Sequence, residues 1–294
     1  MTSRSSEAQG SLLLDSGDYR RLERIGGVTV SRPCPSADWS PGLPVSDWRA
    51  ADISLGETGD WEGTSALSGQ EWCLHSDAGF SLGLWPGPNG QIGAFPEQSP
   101  NWDWLRAACE RQRPRQLRVL NLFAYTGGSS LACAAAGNTE VVHLDGARAS
   151  TTRARANAER SRLTNIRWLV DDVLTYTERA LRRGDKFDAV VLDPPAFGRG
   201  GPKKRDWRIE RDLPRLLDLT AMLLSDEPAF ILLSAHDQRW PEDRLCRALE
   251  EALLATGQAG LAESGSMVLR ARGGGKSLPM GSYVRWQPGG GADR

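Results

Sequence analysis

From Leu117 onward, short apolar runs alternate with longer helical stretches, and this alternation constrains the fold of the 294-residue chain more than any other feature. It predicts an α/β fold with a mostly parallel sheet, helices on both faces, and ligands at the carboxyl ends of the strands. The predicted strands are Arg118–Phe123, Glu140–Leu144, Ile166–Val170, Phe187–Leu192 and Phe230–Leu233. The predicted helices are Ser129–Ala136, Ala147–Arg162, Val173–Arg183, Ile209–Leu224 and Glu242–Ala255.

Before Leu117, glycine and proline turns are dense, and short β-type runs lie between them. We therefore predict a loose terminus over residues 1–11, a small β-rich module over 12–90, and the main domain over 91–294. Seven of the eleven tryptophans fall in this first part. They can stack on RNA bases, but we favour the interpretation that they pack a core with few aliphatic residues.

Composition excludes several classes of protein. No apolar segment approaches the length that crosses a bilayer, and residues 1–10 lack the apolar stretch of a signal peptide, so we predict no membrane partner. The five cysteines are scattered and form no CxxC pair, which indicates a reducing cytoplasm and no disulfide framework. With three widely separated histidines, we also predict no metal site.

A glycine turn follows the first strand of the main domain. The segment Asn121–Ser130 passes through Thr126, Gly127 and Gly128 into a helix of small residues. Glycines let the backbone approach a ligand, and the next helix directs its N-terminus at a negative group. The G-x-G-x-x-G spacing of dinucleotide sites is absent. S-adenosylmethionine does not need that spacing, so the turn favours this cofactor.

Acidic residues end the next two predicted strands. Asp145, at the second, can accept hydrogen bonds from both ribose hydroxyls. Asp172, at the third, can accept from the adenine amino group, while Val173 packs against the ring. A lone aspartate at a strand end is more often a helix cap. The glycine turn and these two aspartates stand at three strand ends in order, and together they favour a cofactor site.

The chain resembles the bacterial class I S-adenosylmethionine-dependent methyltransferases grouped with the large-subunit 23S ribosomal RNA methyltransferases. The segments that carry the resemblance are Gly93–Gln98 with Asn101, Asn121–Ser130, Asp145, Asp172, Asp193–Phe197 and Gly275–Pro279. The resemblance implies a Rossmann-like sheet whose last strand is reversed, and it implies that Phe95–Asn101 forms a lid next to the cofactor. The predicted cofactor contacts are Phe95, Gln98, Asn101, Asn121, Phe123, Ala124, Tyr125, Thr126, Gly127, Gly128, Asp145, Gly146, Asp172, Val173 and Asp193.

The fourth predicted strand ends in Asp193-Pro194-Pro195-Ala196-Phe197. In methyltransferases of exocyclic amines, the acid and the first proline carbonyl accept both amine hydrogens, and an aromatic residue stacks on the ring. We therefore assign catalytic roles to Asp193, Pro194, Pro195 and Phe197. The alternative is that the two prolines only end a strand.

Methylation at cytosine C5 is a competing chemistry, and it needs a cysteine nucleophile. The group that the chain resembles includes such enzymes, with the cysteine after the fifth strand. Here that place holds Ser234-Ala235-His236, and no cysteine lies between Cys133 and Cys246. The sequence therefore favours nitrogen over ring carbon. His236 is equally well explained as a base or substrate contact and as a supporting residue.

Seven basic residues lie between Arg199 and Arg215, directly after the catalytic motif. A basic loop beside an active site suits a phosphate backbone, although a solvated charged face is an equally good explanation. The net charge of −1 gives no global reason to expect nucleic acid. The predicted substrate contacts are Arg199, Lys203, Lys204, Arg205, Trp207 and His236.

The leading hypothesis is a cytoplasmic methyltransferase that modifies a base nitrogen, favouring an exocyclic amine, in ribosomal RNA. The second is a methyltransferase for a small molecule or a protein side chain, because near-zero net charge does not demand RNA. The third is a cofactor- or RNA-binding module without catalysis. No sequence feature specifies an oligomeric state.

Overall fold

The computed structural model describes residues 10–69, 71–199, 205–271 and 275–289. These residues form two compact units. The first comprises the described residues up to Ser99 together with Val268–Met280, and the second comprises Pro100–Met267 and the chain from Gly281. The domain limits at residues 11, 12, 90 and 91 stay predictions.

The first unit is built on a five-stranded sheet in the order β1-β2-β3-β4-β5, in which only the β3–β4 pair is parallel. A separate hairpin, β6–β7, and a short helix, α1, complete its named elements. The predicted N-terminal β-rich module is thus confirmed. The bounds are β1 Ser11–Gly17, β2 Arg20–Ile25, β3 Val28–Pro33, α1 Val45–Arg49, β4 Ile53–Leu55, β5 Trp61–Glu62, β6 Cys73–Ser76 and β7 Phe80–Gly83.

Several tryptophans of this unit bond within it through the indole N–H. Trp72 donates to the carbonyl of Ile25 at 2.7 Å, and Trp61 donates to that of Gly87 at 2.7 Å. Trp39 donates in the same way to the Ser16 carbonyl at 2.9 Å. Because the indole N–H groups of these rings bond to backbone carbonyls within the unit, the structure supports the packing interpretation of the tryptophans.

The second unit contains a seven-stranded sheet in the order β10-β9-β8-β11-β14-β16-β15. Strands β10, β9, β8, β11 and β14 run parallel to one another, and β16 runs antiparallel to β14. The Rossmann-like sheet with a reversed strand is therefore confirmed. The strands are β8 Leu117–Leu122, β9 Thr139–Asp145, β10 Ile166–Val170, β11 Ala189–Leu192, β14 Phe230–Ala235, β15 Gly260–Leu269 and β16 Leu278–Pro288.

Helices cover this sheet. Helices α3 and α4 pack on β8, β9 and β10, while α6 packs against both α5 and α7. Strand β14 is buried along its whole length, which explains why it reads as a continuous apolar run. The helices are α2 Ser99–Glu110, α3 Gly128–Ala135, α4 Arg148–Arg160, α5 Val173–Arg183, α6 Ile209–Met222 and α7 Glu242–Ala255. Among the described helices, none is both long and apolar enough to cross a membrane.

Candidate functional site

Strand register brings the predicted site residues to one edge of the large sheet. Leu122, at the end of β8, pairs with Leu144 of β9 and with Leu192 of β11. Leu192 also pairs with Leu233 of β14, and the end of β10 lies beside Asp145. The order of strands along the chain reverses between β8 and β11, which is where sheets of this type bind ligands.

The turn after β8 has an unusual backbone. Phe123 and Tyr125 have positive φ angles of 57° and 49°, and Gly127 has a φ of 98°. A non-glycine residue in this region costs about 1–2 kcal/mol, and such strain concentrates at functional sites. The left-handed conformation of Phe123 also explains why β8 ends at Leu122, one residue earlier than predicted.

Hydrogen bonds from neighbouring elements hold this turn. The amide of Tyr125 donates to Oδ2 of Asp145 at 2.8 Å, and the amide of Ala124 donates to the Leu144 carbonyl at 3.1 Å. From α4, Nδ2 of Asn157 donates to the Thr126 carbonyl at 3.0 Å. Sequence reasoning missed Asn157, whose only signal is a polar residue on the buried face of a helix.

Helix packing also restricts the two glycines of the turn. A Cβ atom at Gly127 would lie 3.2 Å from Cβ of Ala154, and one at Gly128 would lie 2.7 Å from the ring of Trp102. The approach of α2 therefore leaves no room for a side chain at Gly128, while α4 makes a tight fit at Gly127, whose positive φ also favours glycine. Both glycines stay predicted cofactor contacts.

The carboxylate of Asp145 can accept hydrogen bonds from a cofactor. Its Oδ2 accepts the Tyr125 amide and its Oδ1 accepts the Ala147 amide, both at 2.8 Å. Burial raises the pKa of this carboxyl, and the two amides partly offset that effect. Each oxygen keeps further acceptor capacity, which fits two adjacent hydroxyls such as those of a ribose. Gly146, the next residue, is exposed.

Asp172 caps helix α5. Its Oδ1 accepts hydrogen bonds from the amide of Thr175 at 2.9 Å and from its hydroxyl at 2.8 Å. The helix-cap interpretation considered for such aspartates thus holds at this position. Both of these bonds use Oδ1, and a contact of Oδ2 with adenine stays a prediction. Val173 is buried in the core of the second unit, and its contact with an adenine ring also stays a prediction.

Behind the turn lies a buried polar chain of Asn121, Ser130 and His143. Nδ2 of Asn121 donates to Oγ of Ser130 at 2.8 Å, and that hydroxyl lies 3.0 Å from Nδ1 of His143. Burial, assisted by the charge of Arg155, lowers the pKa of His143 to about 3. The imidazole is therefore neutral at physiological pH. Asn121 supports the turn from below, and its direct contact with a cofactor stays a prediction.

The predicted lid residues belong to different units. Phe95 and Gln98 lie in the first unit and Asn101 in the second, so the lid stays a prediction. Asn101 is buried, and its Oδ1 accepts hydrogen bonds from Nη2 of Arg285 at 2.8 Å and from Nε at 3.2 Å. Arg285 lies on β16, and sequence reasoning did not identify it.

Asp193 follows β11 and is fixed by the neighbouring strand. Its Oδ1 accepts a hydrogen bond from Oγ of Ser234 at 2.7 Å and lies 3.7 Å from Nε2 of His236. The structure thus brings the predicted residue His236 next to the predicted catalytic acid. Phe197 is 50% exposed and Pro194 is buried.

Trp207 anchors the segment after Asp193. Its Nε1 donates to the Pro195 carbonyl at 2.8 Å, and the amide of Ile209 donates to the Ala196 carbonyl at 3.1 Å. Phe197–Gly198 (β12) pairs with Trp207–Arg208 (β13). The Trp207 ring also packs edge-on against Phe123 at 4.8 Å. Because it is buried, Trp207 has a structural role, and its substrate contact stays a prediction.

The basic segment is partly neutralised by Asp212. Arg205 bonds to its Oδ1 at 2.6 Å, and Arg211 bonds to its Oδ2 at 2.7 Å. Burial raises the pKa of Asp212, but the bonds from Arg211 and its neighbours outweigh this and hold it at about 2. Arg199 is exposed, while Lys203 and Lys204 lie outside the described residues. Contacts of these basic residues with a substrate stay predictions.

Comparison with known proteins agrees with this geometry. The sequence profile of a family described as S-adenosylmethionine-dependent methyltransferase matches residues 65–233. A crystal structure of the SAM-dependent methyltransferase from Agrobacterium tumefaciens is 32% identical, covers 95% of this chain and 90% of its own, and superposes with a TM-score of 0.87. A methyltransferase complexed with SAH has the same fold, with a TM-score of 0.67 at 17% identity over 96% of this chain and 76% of its own.

Among curated proteins, the ribosomal RNA large subunit methyltransferase I of Aeromonas salmonicida is 40% identical over 82 residues. That match covers 27% of this chain and 21% of the relative, so the chain spans about a fifth of the length of the relative. The cofactor of the family is S-adenosylmethionine, and the turn after β8 with the carboxylate of Asp145 fits it. This chain belongs to the S-adenosylmethionine-dependent methyltransferases.

Proposed function

We propose that the enzyme methylates a base nitrogen, an exocyclic amine, in RNA, and that ribosomal RNA is its substrate class. The observation that carries this proposal is the placement of Asp193, held by Ser234, at the sheet edge that also carries the glycine turn and Asp145. The partial likeness to ribosomal RNA large subunit methyltransferases supports the choice of RNA. Such a substrate implies a cytoplasmic location.

In this proposal, the protein orients the amine. Oδ1 of Asp193 accepts the Ser234 hydroxyl, and this carboxylate also accepts one amine hydrogen through Oδ2. The Pro194 carbonyl accepts the other, and the exposed ring of Phe197 stacks on the base. When bound, the cofactor supplies an activated methyl group, so the protein does not need to generate a strong nucleophile. The amine proton that is released has acceptors in Asp193 and in His236.

Cysteine placement argues against C5 chemistry. A thiolate must attack the base in that reaction, but β14 ends at Ala235 and is followed by His236 and Asp237, where the nucleophile would lie. Cys133 is fully buried on α3, where a hydrogen bond with Cys109 and burial raise its thiol pKa. Cys246 lies on α7, and burial raises its pKa as well. Neither thiol is suited to act as the nucleophile.

The test is to incubate the enzyme with methyl-labelled S-adenosylmethionine and total bacterial RNA, followed by digestion to nucleosides. Label in an N-methylated nucleoside is the expected result. Label in 5-methylcytidine would overturn the nitrogen assignment. Label confined to a small molecule or a protein would overturn the RNA assignment and favour the second hypothesis.

A further inference from the structure

Helix α4 carries two exposed arginines, Arg148 and Arg155, and a third exposed arginine, Arg162, lies two residues beyond the helix end at Arg160. The three are spaced seven residues apart in the sequence. Seven residues make nearly two helical turns, so Arg148 and Arg155 lie on one face of the helix, about 10 Å apart along its axis, and Arg162 follows at the C-terminal end of the helix. We call these three residues the arginine row. It begins three residues after Asp145 and therefore starts at the edge of the sheet that carries the candidate site.

The local charge of this segment differs sharply from that of the chain. Residues 148–162 contain five arginines and one glutamate, Glu159, whereas the whole chain has a net charge of −1. Within the described residues, the side chains of the arginine row form no ion pair. The row is thus a positively charged face that the protein itself does not neutralise.

Arg162 occupies a position that normally requires glycine. Its φ is +56°, and the bonds from Leu163 to the Ala158 carbonyl and from Arg162 to the Glu159 carbonyl close the end of the helix. These are the two bonds of a Schellman motif, in which a left-handed residue, usually glycine, ends a helix. An arginine costs stability at this position, so its presence calls for a reason outside the helix.

The next helix along the chain ends in the same motif with a glycine. Helix α5 ends in the same pair of bonds, but there the left-handed residue is Gly184, with a φ of +72°. The two helix ends therefore differ in side chain and not in backbone geometry. The motif itself does not require an arginine, so the strain at Arg162 is not a consequence of the motif.

We propose that the arginine row binds the phosphate backbone of RNA. The inference rests on the proposed RNA substrate and adds a surface on the opposite side of the glycine turn from Asp193. Guanidinium groups bind phosphate oxygens through paired hydrogen bonds. A row that starts beside the site can hold an RNA whose target base lies at Asp193, and it contributes affinity without reading sequence.

The Arg162→Gly variant tests the proposal because it removes the guanidinium and relieves the backbone. The full-length variant and the wild type are titrated with bacterial ribosomal RNA at several salt concentrations. We expect the melting temperature to rise by about 2–4 °C. We also expect weaker RNA binding, with the slope of log affinity against log salt reduced by about 0.7–0.9. Arg247→Ala, which removes an exposed arginine of α7, is the matched control and leaves both unchanged.

A second variant, Arg148→Gln with Arg155→Gln, removes two charges from the row without touching the left-handed position. It is expected to lower the salt slope further at an unchanged melting temperature. Wild-type affinity and slope in both variants would overturn the proposal. A wild type that neither binds nor methylates RNA would overturn the RNA substrate first. Loss of binding to vesicles containing phosphatidylserine, with RNA binding intact, would reassign the row to a membrane surface.

Discussion

Ser234 donates a hydrogen bond to Asp193, with 2.7 Å between Oγ and Oδ1. The two residues follow paired positions of β11 and β14, since Leu192 pairs with Leu233. Parallel register therefore aligns a hydroxyl with a carboxylate from strands 41 residues apart in sequence. Because Oδ1 of Asp193 accepts this hydrogen bond, the orientation of the carboxylate group, and with it the direction of Oδ2, is fixed.

Replacing Ser234 by alanine should lower kcat for methyl transfer about tenfold, the equivalent of one lost hydrogen bond to a charged group. The cofactor Kd should stay unchanged because the Ser234 hydroxyl bonds to the acid that orients the amine. Ser234→Thr retains the hydroxyl and should recover most of the rate. Single-turnover kinetics with calorimetry of cofactor binding measure both. Equal rates in the alanine and threonine variants would contradict a positioning role.

Asp193→Ala should abolish turnover, with a loss of at least about a hundredfold in kcat, because the amine loses its principal acceptor. Cofactor affinity should be largely spared. Calorimetric titration with S-adenosylmethionine, alongside the labelled-RNA assay, separates the two effects. Turnover near that of the wild type would remove Asp193 from the chemistry.

Asp145→Ala should raise the cofactor Kd by at least about tenfold, since it removes a charged acceptor for the ribose hydroxyls. It also removes the acceptor of the Tyr125 amide, so the turn after β8 loses one of the hydrogen bonds that stabilise it. The control is Asp185→Ala, which removes a carboxylate that pairs with Arg183 at the end of α5. If both variants bound the cofactor equally well, Asp145 would not be a cofactor ligand.

Trp207→Phe should lower kcat about threefold to tenfold, because the ring remains but the bond to the Pro195 carbonyl is lost. Its packing against Phe123 should persist, so we expect the melting temperature to change little. Thermal melting and single-turnover rates measure the two quantities. A large loss of stability with an unchanged rate would indicate a purely structural residue.

The buried histidine predicts a pH dependence of stability. The pKa of His143 is about 3 in the folded chain and about 6.5 when unfolded. Between these values only the unfolded state binds the proton, so stability is complete above pH 6.5 and falls by about 1.4 kcal/mol per unit as pH drops. The wild type should therefore lose about 2 kcal/mol more than His143→Gln between pH 6.5 and pH 5. Urea unfolding at both pH values measures this difference, and equal losses would contradict it.

Local sequence determined the elements of the second unit. Helix α5 has the predicted bounds, Val173–Arg183, because its start and end signals are local: Asp172 caps the first turn and Gly184 ends the last. The apolar runs located the parallel strands because strands covered on both faces need continuous apolar sequence. The predicted start of β11 was less accurate. The strand begins at Ala189 and not at Phe187, because the Phe187 amide bonds to the Leu223 carbonyl outside the strand.

The supporting contacts of the site were decided by tertiary structure alone. Asn157 reaches Thr126 across 31 residues, and Arg285 reaches Asn101 across 184. Such pairs depend on strand register and helix packing, which no local pattern encodes. The sequence by itself therefore determined the sheet, the glycine turn and the acids at strand ends, since burial periodicity and turn chemistry are local. The tertiary structure decided which side chains hold them, because those partners meet only after distant elements pack.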